Sequence, residues 1–223
     1  MSQHVIQNLE ATLAELEDLE KKGLFTSAEI KALTQNRTRF EYAVHRRSPK
    51  VNDYLRYIEY ELNIERLRQK RLKRLGLDRV AFDGRDGSAK GTRPAPRTVS
   101  DVAITTRIHN LYRQCLRKFP LELQVWRDYI AWCKQMKSSR ALGKIMARAI
   151  QTHATIPEFW ILAAQHEAQH NNNMHSARIL LQRALRINPD QRLLWTEYFK
   201  LELMFLARLN KRHQILSGTD ASK

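Results

Sequence analysis

Apolar residues recur along the second half of the chain with a period close to 35. Leu111, Met146 and Leu181 fall in one register, and Cys115, Ile150 and Leu185 follow one helical turn later, so one face of a helix is apolar in each copy. Arg113, Arg148 and Arg183 stand in the same register, 35 residues apart. A second helix in each copy carries aromatics. Trp126, Trp160 and Trp195 are spaced by 34 and 35 residues, and Tyr129 and Tyr198 follow the first and third by three, which sets two rings on one side of a helix. An acid comes seven residues after the ring in two copies, Glu167 and Glu202. Tyr54, Tyr57 and Glu61 form an earlier copy with no second helix at the usual distance, so something is inserted there. Units of two helices and a turn repeated at this length predict an all-α fold, a helical solenoid of TPR-like helix pairs.

The amino-terminal pattern adds two helices. Leu9, Leu13, Leu16, Leu19 and Phe25 make an apolar stripe, and Glu10, Glu15, Glu17, Asp18 and Glu20 make the opposite face acidic. Gly23 can end that helix. Thr26 to Glu29 fits a capping box and Phe25 with Ile30 a hydrophobic staple, so the next helix should start near Ser27 and stop before Pro49. Gly76, Gly84, Gly87, Gly91, Pro94 and Pro96 break any helical period, predicting a flexible basic loop over 76–100 that is partly ordered only when bound. A helix starting near Ser100 or Asp101 should then carry Ile104 and Ile108. The predicted organisation is 1–50, amino-terminal helices; 51–75, a half-repeat helix with a basic extension; 76–100, the loop; 101–216, repeats; and 217–223, a tail. The last helix is expected to dock Leu201, Leu203, Met204 and Phe205 on further repeats of a longer chain or on a partner.

Charge changes this picture. The 223 residues carry a net charge of +16 with a pI near 10.2, which asks for a polyanionic partner or a surrounding ribonucleoprotein. Arg66, Arg68, Lys70, Arg71, Lys73 and Arg74 crowd into nine residues without an acid, and Arg79, Arg85, Lys90, Arg93 and Arg97 continue the run. Three readings fit: contact with RNA phosphates, a nuclear import signal, or a solvated helix face. No aromatic interleaves the run to stack bases. No apolar stretch approaches the ~20 residues of a membrane span, no export signal is visible, and Cys115 and Cys133 both fall on core faces. A cytosolic or nuclear protein is expected.

Candidate chemistry is sparse. His166-Glu167-Ala168-Gln169-His170 satisfies the zinc-hydrolase spacing, but His175 comes too early to be a third ligand, and Glu167 already fills the repeat's acidic position. Surface histidines at a helix end are the simpler account. No triad order, phosphate-cradling glycine loop or Cys-x-x-Cys pair offers another reaction. Tyr54, Tyr57, Trp126, Tyr129, Trp160, Trp195 and Tyr198 are read as inter-helix packing, and Arg113, Arg148 and Arg183 as structural. Neither enzyme activity, a metal nor a cofactor is expected.

Arg183-Ala184-Leu185 followed by Pro189, the good second match Arg148-Ala149-Ile150, the weaker Arg113-Gln114-Cys115 with Pro120, and the Trp-x-x-Tyr helices together resemble the half-a-TPR (HAT) repeat. The Leu-Gly and Ala-x-x-x-Phe features of an ordinary TPR are missing. Glu15 to Phe25, Arg39-Phe40-Glu41-Tyr42, Arg46-Arg47-Ser48-Pro49 and Tyr54 to Leu62 narrow the likeness. Over residues 9 to 75, with repeat periodicity onward to about 205, the chain resembles the U-three small nucleolar RNA-associated proteins of the small-subunit processome. That resemblance implies a nucleolar scaffold, supporting precursor 18S ribosomal RNA processing and ribosome biogenesis. It implies WD40-propeller processome subunits and other ribonucleoprotein proteins as partners, with precursor ribosomal or small nucleolar RNA nearby, and no membrane or small-molecule substrate. A HAT scaffold of splicing or messenger-RNA 3′-end processing, a zinc hydrolase, and a chaperone adaptor are the alternatives.

Overall fold

The computed structural model describes residues 2–77, 79–82, 91–94 and 98–216. The fold is all-α, of the helical-repeat class, with two compact units, Met1–Val125 and Trp126–Lys223.

The first unit holds α1 (Ser2–Glu10), α2 (Leu13–Lys21), α3 (Ser27–Val44), α4 (Val51–Arg74) and α5 (Val99–Lys118). The single amino-terminal helix expected from the apolar stripe is two helices. Thr12, buried, bonds its hydroxyl to the Leu9 carbonyl at 2.7 Å and breaks the period, so Leu13 faces solvent. Gly23, at φ +64°, closes α2: Leu24 donates to the Leu19 carbonyl and Gly23 to that of Glu20, and both leucines are buried. Gly76 ends α4 in the same way, with Leu77 donating to Leu72. The capping box of α3 forms as its sequence dictates, Glu29 N–H to Thr26 Oγ1 and Thr26 N–H to Glu29 Oε2. Leu16, Leu19, Leu33, Tyr54, Ile58, Ile104, Ile108 and Leu116 are among the core residues.

Between α4 and α5, where the glycines and prolines suggested only a loop, Arg79–Phe82 (β1) pairs antiparallel with Gly91–Pro94 (β2). Val80, Phe82 and Thr92 favour extended backbone, and the turn pairs Asp83-Gly84 and Asp86-Gly87 stand between the strands in sequence. Residues 78, 83–90, 95–97 and the tail 217–223 lie outside the described residues.

The second unit contains most of α6 (Leu123–Gln135), then α7 (Ser139–Thr152), α8 (Pro157–Gln169), α9 (Met174–Ile187) and α10 (Arg192–Leu216). The pair α8 and α9 is a helix hairpin whose short joint has Asn172 at φ +51° and Asn173 capping α9 through Ser176 N–H. Trp160, Ala164, Ala177, Leu181, Ala184, Leu194 and Leu201 form its core with α10.

The repeat is written in the backbone. Phe119, His153 and Asn188, at intervals of 34 and 35, end α5, α7 and α9 with φ −127° in each case and ψ between 56° and 66°. Each donates its N–H to a residue that is fully buried: Cys115, Ala149 and Ala184. The two later first-helix tryptophans repeat a further bond. Trp160 Nε1 donates to the Ala154 carbonyl and Trp195 Nε1 to that of Pro189, six residues upstream and 2.9 Å in both.

Candidate functional site

The helical period of α4 divides its basic run into two sets. Arg66, Lys70, Lys73 and Arg74 are exposed and form a cationic stripe. Arg68 turns inward. Its Nε and Nη2 donate to Glu65 at 2.8 and 2.7 Å, and its Nη1 pairs with Asp101 of α5. Burial works against the charge on Arg68, but Glu65 and Asp101 hold its pKa above the usual guanidinium value. Arg71 is half-buried over the Phe25 ring, bonded to the Leu24 carbonyl and to both Glu29 oxygens at 2.6 and 2.8 Å. Those bonds hold the Glu29 carboxyl down at about 2. Two of the six cations therefore join helices together, and four remain for a partner. Arg79 and Arg93 stand on β1 and β2, opposite Pro94 and Val80. Arg85, Lys90 and Arg97 lie outside the described residues.

The residues expected to pack the repeats separate just as clearly. Tyr54, Tyr57, Trp126, Tyr129 and Trp160 are buried. Trp126 meets His153 edge to face at 5.8 Å, and Tyr54 meets Phe119 at 6.2 Å. Tyr198 is partly buried against the α8–α9 core, but Trp195 is 54 % exposed. Arg113, Arg148 and Arg183 are solvent-exposed and make no ion pair among the described residues, so the structural role expected of them is corrected. Aligning on the helix ends places Cys115, Ala149 and Ala184 in one register, so Arg113 stands one residue out of phase with Arg148 and Arg183.

A polar cluster of the first unit escaped the sequence pattern. One ionised residue from each of four helices meets inside the first unit: Glu15 (α2), Arg37 (α3), Glu61 (α4) and Arg107 (α5). Arg37 forks onto Glu61 at 2.7 and 2.9 Å and reaches Glu15 at 3.0 Å, while Arg107 Nη2 bonds Glu15 at 2.5 Å. Burial pushes the Glu15 pKa up, but Arg107 and Arg37 more than reverse it and hold it below the ordinary value. Glu15, assigned to an acidic outer face, is thus interior. Glu61 was visible as a repeat acid. Arg37 and Arg107 gave no local signal, because their partners are 22 to 92 residues away. Beside the cluster lies a cavity of about 530 Å³, lined by Tyr57, Glu41, Asn110 and Gln114 among others. Of the charged residues lining it, Arg37 and Arg107 are paired with Glu15 and Glu61, and Glu41 accepts from Tyr57 and Asn8, so the cluster braces four helices.

His166 is buried, not on the surface as expected, while His170 is exposed. Their rings stack with centroids 5.2 Å apart. Burial first, and His170 second, push the His166 pKa below the usual imidazole value. Glu167 accepts from Asn171 at 2.9 Å. Among the described residues no third metal-binding side chain joins this pair. No helix among them is long and apolar enough to cross a membrane.

Comparison with known proteins finds one family and several relatives of the same name. The family model described as U3 small nucleolar RNA-associated protein 6 matches residues 9–106. The chain is similar along its full length to U3 small nucleolar RNA-associated protein 6 of Schizosaccharomyces pombe, at 36 % identity over 223 residues and 42 % of that protein. It is 31 % identical to the Homo sapiens homolog over 214 residues, 96 % of this chain and 33 % of the homolog. Against the Dictyostelium discoideum homolog the identity is 26 % over 202 residues, 91 % of this chain and 30 % of the homolog. The chain thus spans less than half the length of these relatives. Residues 9–106, with the helices that bury Glu61 and Arg68, match the model of the U3 small nucleolar RNA-associated protein 6 family, and the similarity to proteins of that name continues through the repeats that follow.

Proposed function

We propose that this chain acts as a non-catalytic scaffold in the small-subunit processome, supporting precursor 18S ribosomal RNA processing and ribosome biogenesis in the nucleolus. The observation that carries the reading is the similarity along its full length to a protein named for association with U3 small nucleolar RNA. Three features support a scaffold. The buried charges of the first unit are matched to one another across four helices, the aromatics of the repeats mostly serve the core, and the surface keeps an excess of cations. The HAT repeat accounts for the Trp-x-x-Tyr helices and for Arg-Ala-Leu at the ends of the second helices.

Partners are of two kinds. Protein neighbours, WD40 propellers among them as the resemblance implies, engage exposed faces of the helix pairs. Precursor ribosomal RNA or small nucleolar RNA meets the α4 stripe of Arg66, Lys70, Lys73 and Arg74, extended by the cations of 79–97. Crosslinking of RNA to the assembled particle tests this assignment. Reversing the four exposed α4 charges to Glu should remove RNA crosslinks from this segment. Unchanged crosslinks and unchanged particle assembly would leave the stripe as a solvated face or import signal.

A further inference from the structure

The second unit has an apolar groove that none of its own described residues fills. It is a cavity of about 330 Å³ between α7 and α9, floored by α8. Gly143, Met146, Ala147 and Ile150 recur every three or four residues along α7, and Ser176, Ile179 and Leu180 do the same on α9. Ile179 is 42 % exposed although it is large and apolar. Gly143 contributes no side chain, which keeps one end of the groove open. Such a trough, walled by two helices, matches the row of side chains that one face of a further helix presents at i, i+3, i+4 and i+7.

His166 lines the groove from α8 and is 4 % exposed, yet its Nε2 has no hydrogen-bond partner among the described residues. A polar atom buried without a partner costs roughly 1–3 kcal/mol, so a group that reaches it from the groove recovers that cost. His166 therefore marks the apolar trough as a place where a ligand is received.

The rim selects the ligand's charge. Neither α7 nor α9 contains an Asp or Glu. Arg140, Lys144 and Arg148 are exposed on α7, and Arg183 and Arg186 on α9, none of them in an ion pair among the described residues. Arg178 is already matched to Glu202. The one acid lining the groove, Glu167, is held by Asn171. Arg183 lies in line with Ser176, Ile179 and Leu180 along α9, and Arg140 and Lys144 flank the groove-lining residues of α7, whereas Arg148 is on the far side of that helix.

We infer that the α7–α9 groove binds an amphipathic helix of a protein partner, its apolar face in the trough and its acidic face against the arginine and lysine rim. The inference rests on the scaffold reading, since it supplies one of that scaffold's protein contacts. An apolar floor favours a protein helix over RNA, whose backbone would meet the rim cations but leave Ile179 and Ile150 uncovered.

The test uses the purified chain and three fluorescent helical peptides with one common Leu/Ile face and a polar face of Glu, Gln or Lys, together with a 20-nucleotide unstructured RNA. The Glu peptide should bind at least tenfold more tightly than the Lys peptide. Ile179→Glu should abolish that binding, and the combined Arg140→Glu, Lys144→Glu and Arg183→Glu change should reverse the preference. All these side chains reach solvent, so circular dichroism should show the helices intact. His166→Phe, which keeps the ring's bulk and removes the nitrogen, should weaken the Glu peptide severalfold. No preference among peptides, or an RNA that competes for the groove and is insensitive to Ile179→Glu, overturns the inference. Retention of U3 RNA by the same chain in cells is a separate readout, so loss of the groove and loss of the scaffold reading can be told apart.

Discussion

Two pairs of residues show how burial decides what a side chain does. Trp160 and Trp195 occupy the same register and make the same indole bond six residues back, but Trp160 is 3 % exposed and Trp195 54 %. Trp160→Ala should cost about 3–5 kcal/mol in denaturant unfolding, whereas Trp195→Ala should cost less than about 1 kcal/mol. Arg37 and Arg148 are both arginines on helices, yet only Arg37 is enclosed. Arg37→Ala leaves Glu15 and Glu61 buried with a weakened counter-charge, and should destabilise the first unit by about 3–5 kcal/mol, read by hydrogen exchange of α3 and α4 amides. Cys115, fully buried with its thiol pushed by burial up to about 12, should not react with a thiol reagent until the chain is unfolded.

At the scale of elements, what could be read from sequence was whatever depends on near neighbours. The Thr26 to Glu29 box, the Gly23 stop and the break before Pro49 all involve residues within a turn or two, and α3 begins and ends accordingly. The period of the repeats was legible because each copy carries the same short pattern of apolar and aromatic positions. Arg37 and Arg107 were not, because their carboxylates come from other helices and no local spacing encodes them. The split of the first helix at Thr12 and the β1–β2 ribbon were missed where a hydroxyl bond or a strand partner outweighed the periodic pattern. Helix α4 needed three dimensions for its charges to be sorted. Replacing Arg66, Lys70, Lys73 and Arg74 by Ala should lower the slope of log affinity against log salt for single-stranded RNA by roughly 3, about 0.7 per phosphate contact. Arg68→Ala should instead destabilise the α4–α5 packing, with little effect on that slope.

For the whole molecule, acid should act unequally on the two units. Among the described residues, Glu15, Asp18, Glu29 and Asp101 of the first unit have lowered pKa values, against Glu202 in the second. A carboxyl held low in the folded state contributes stability that is complete above its unfolded value, about 4 to 4.5. That stability is lost as pH falls from there toward the folded value. All four tryptophans lie in the second unit, so their emission reports it alone. Lowering pH from 5 to 3 should therefore release amide protection in α3 and α4 before tryptophan emission shifts. Function also belongs to this scale, since a scaffold is defined by the particle that retains it. Purifying the tagged chain from nucleolar extract and quantifying bound RNA tests that directly. The account predicts strong enrichment of U3 small nucleolar RNA and of 18S precursor over spliceosomal small nuclear RNAs, and equal recovery of all of them at background level would contradict it.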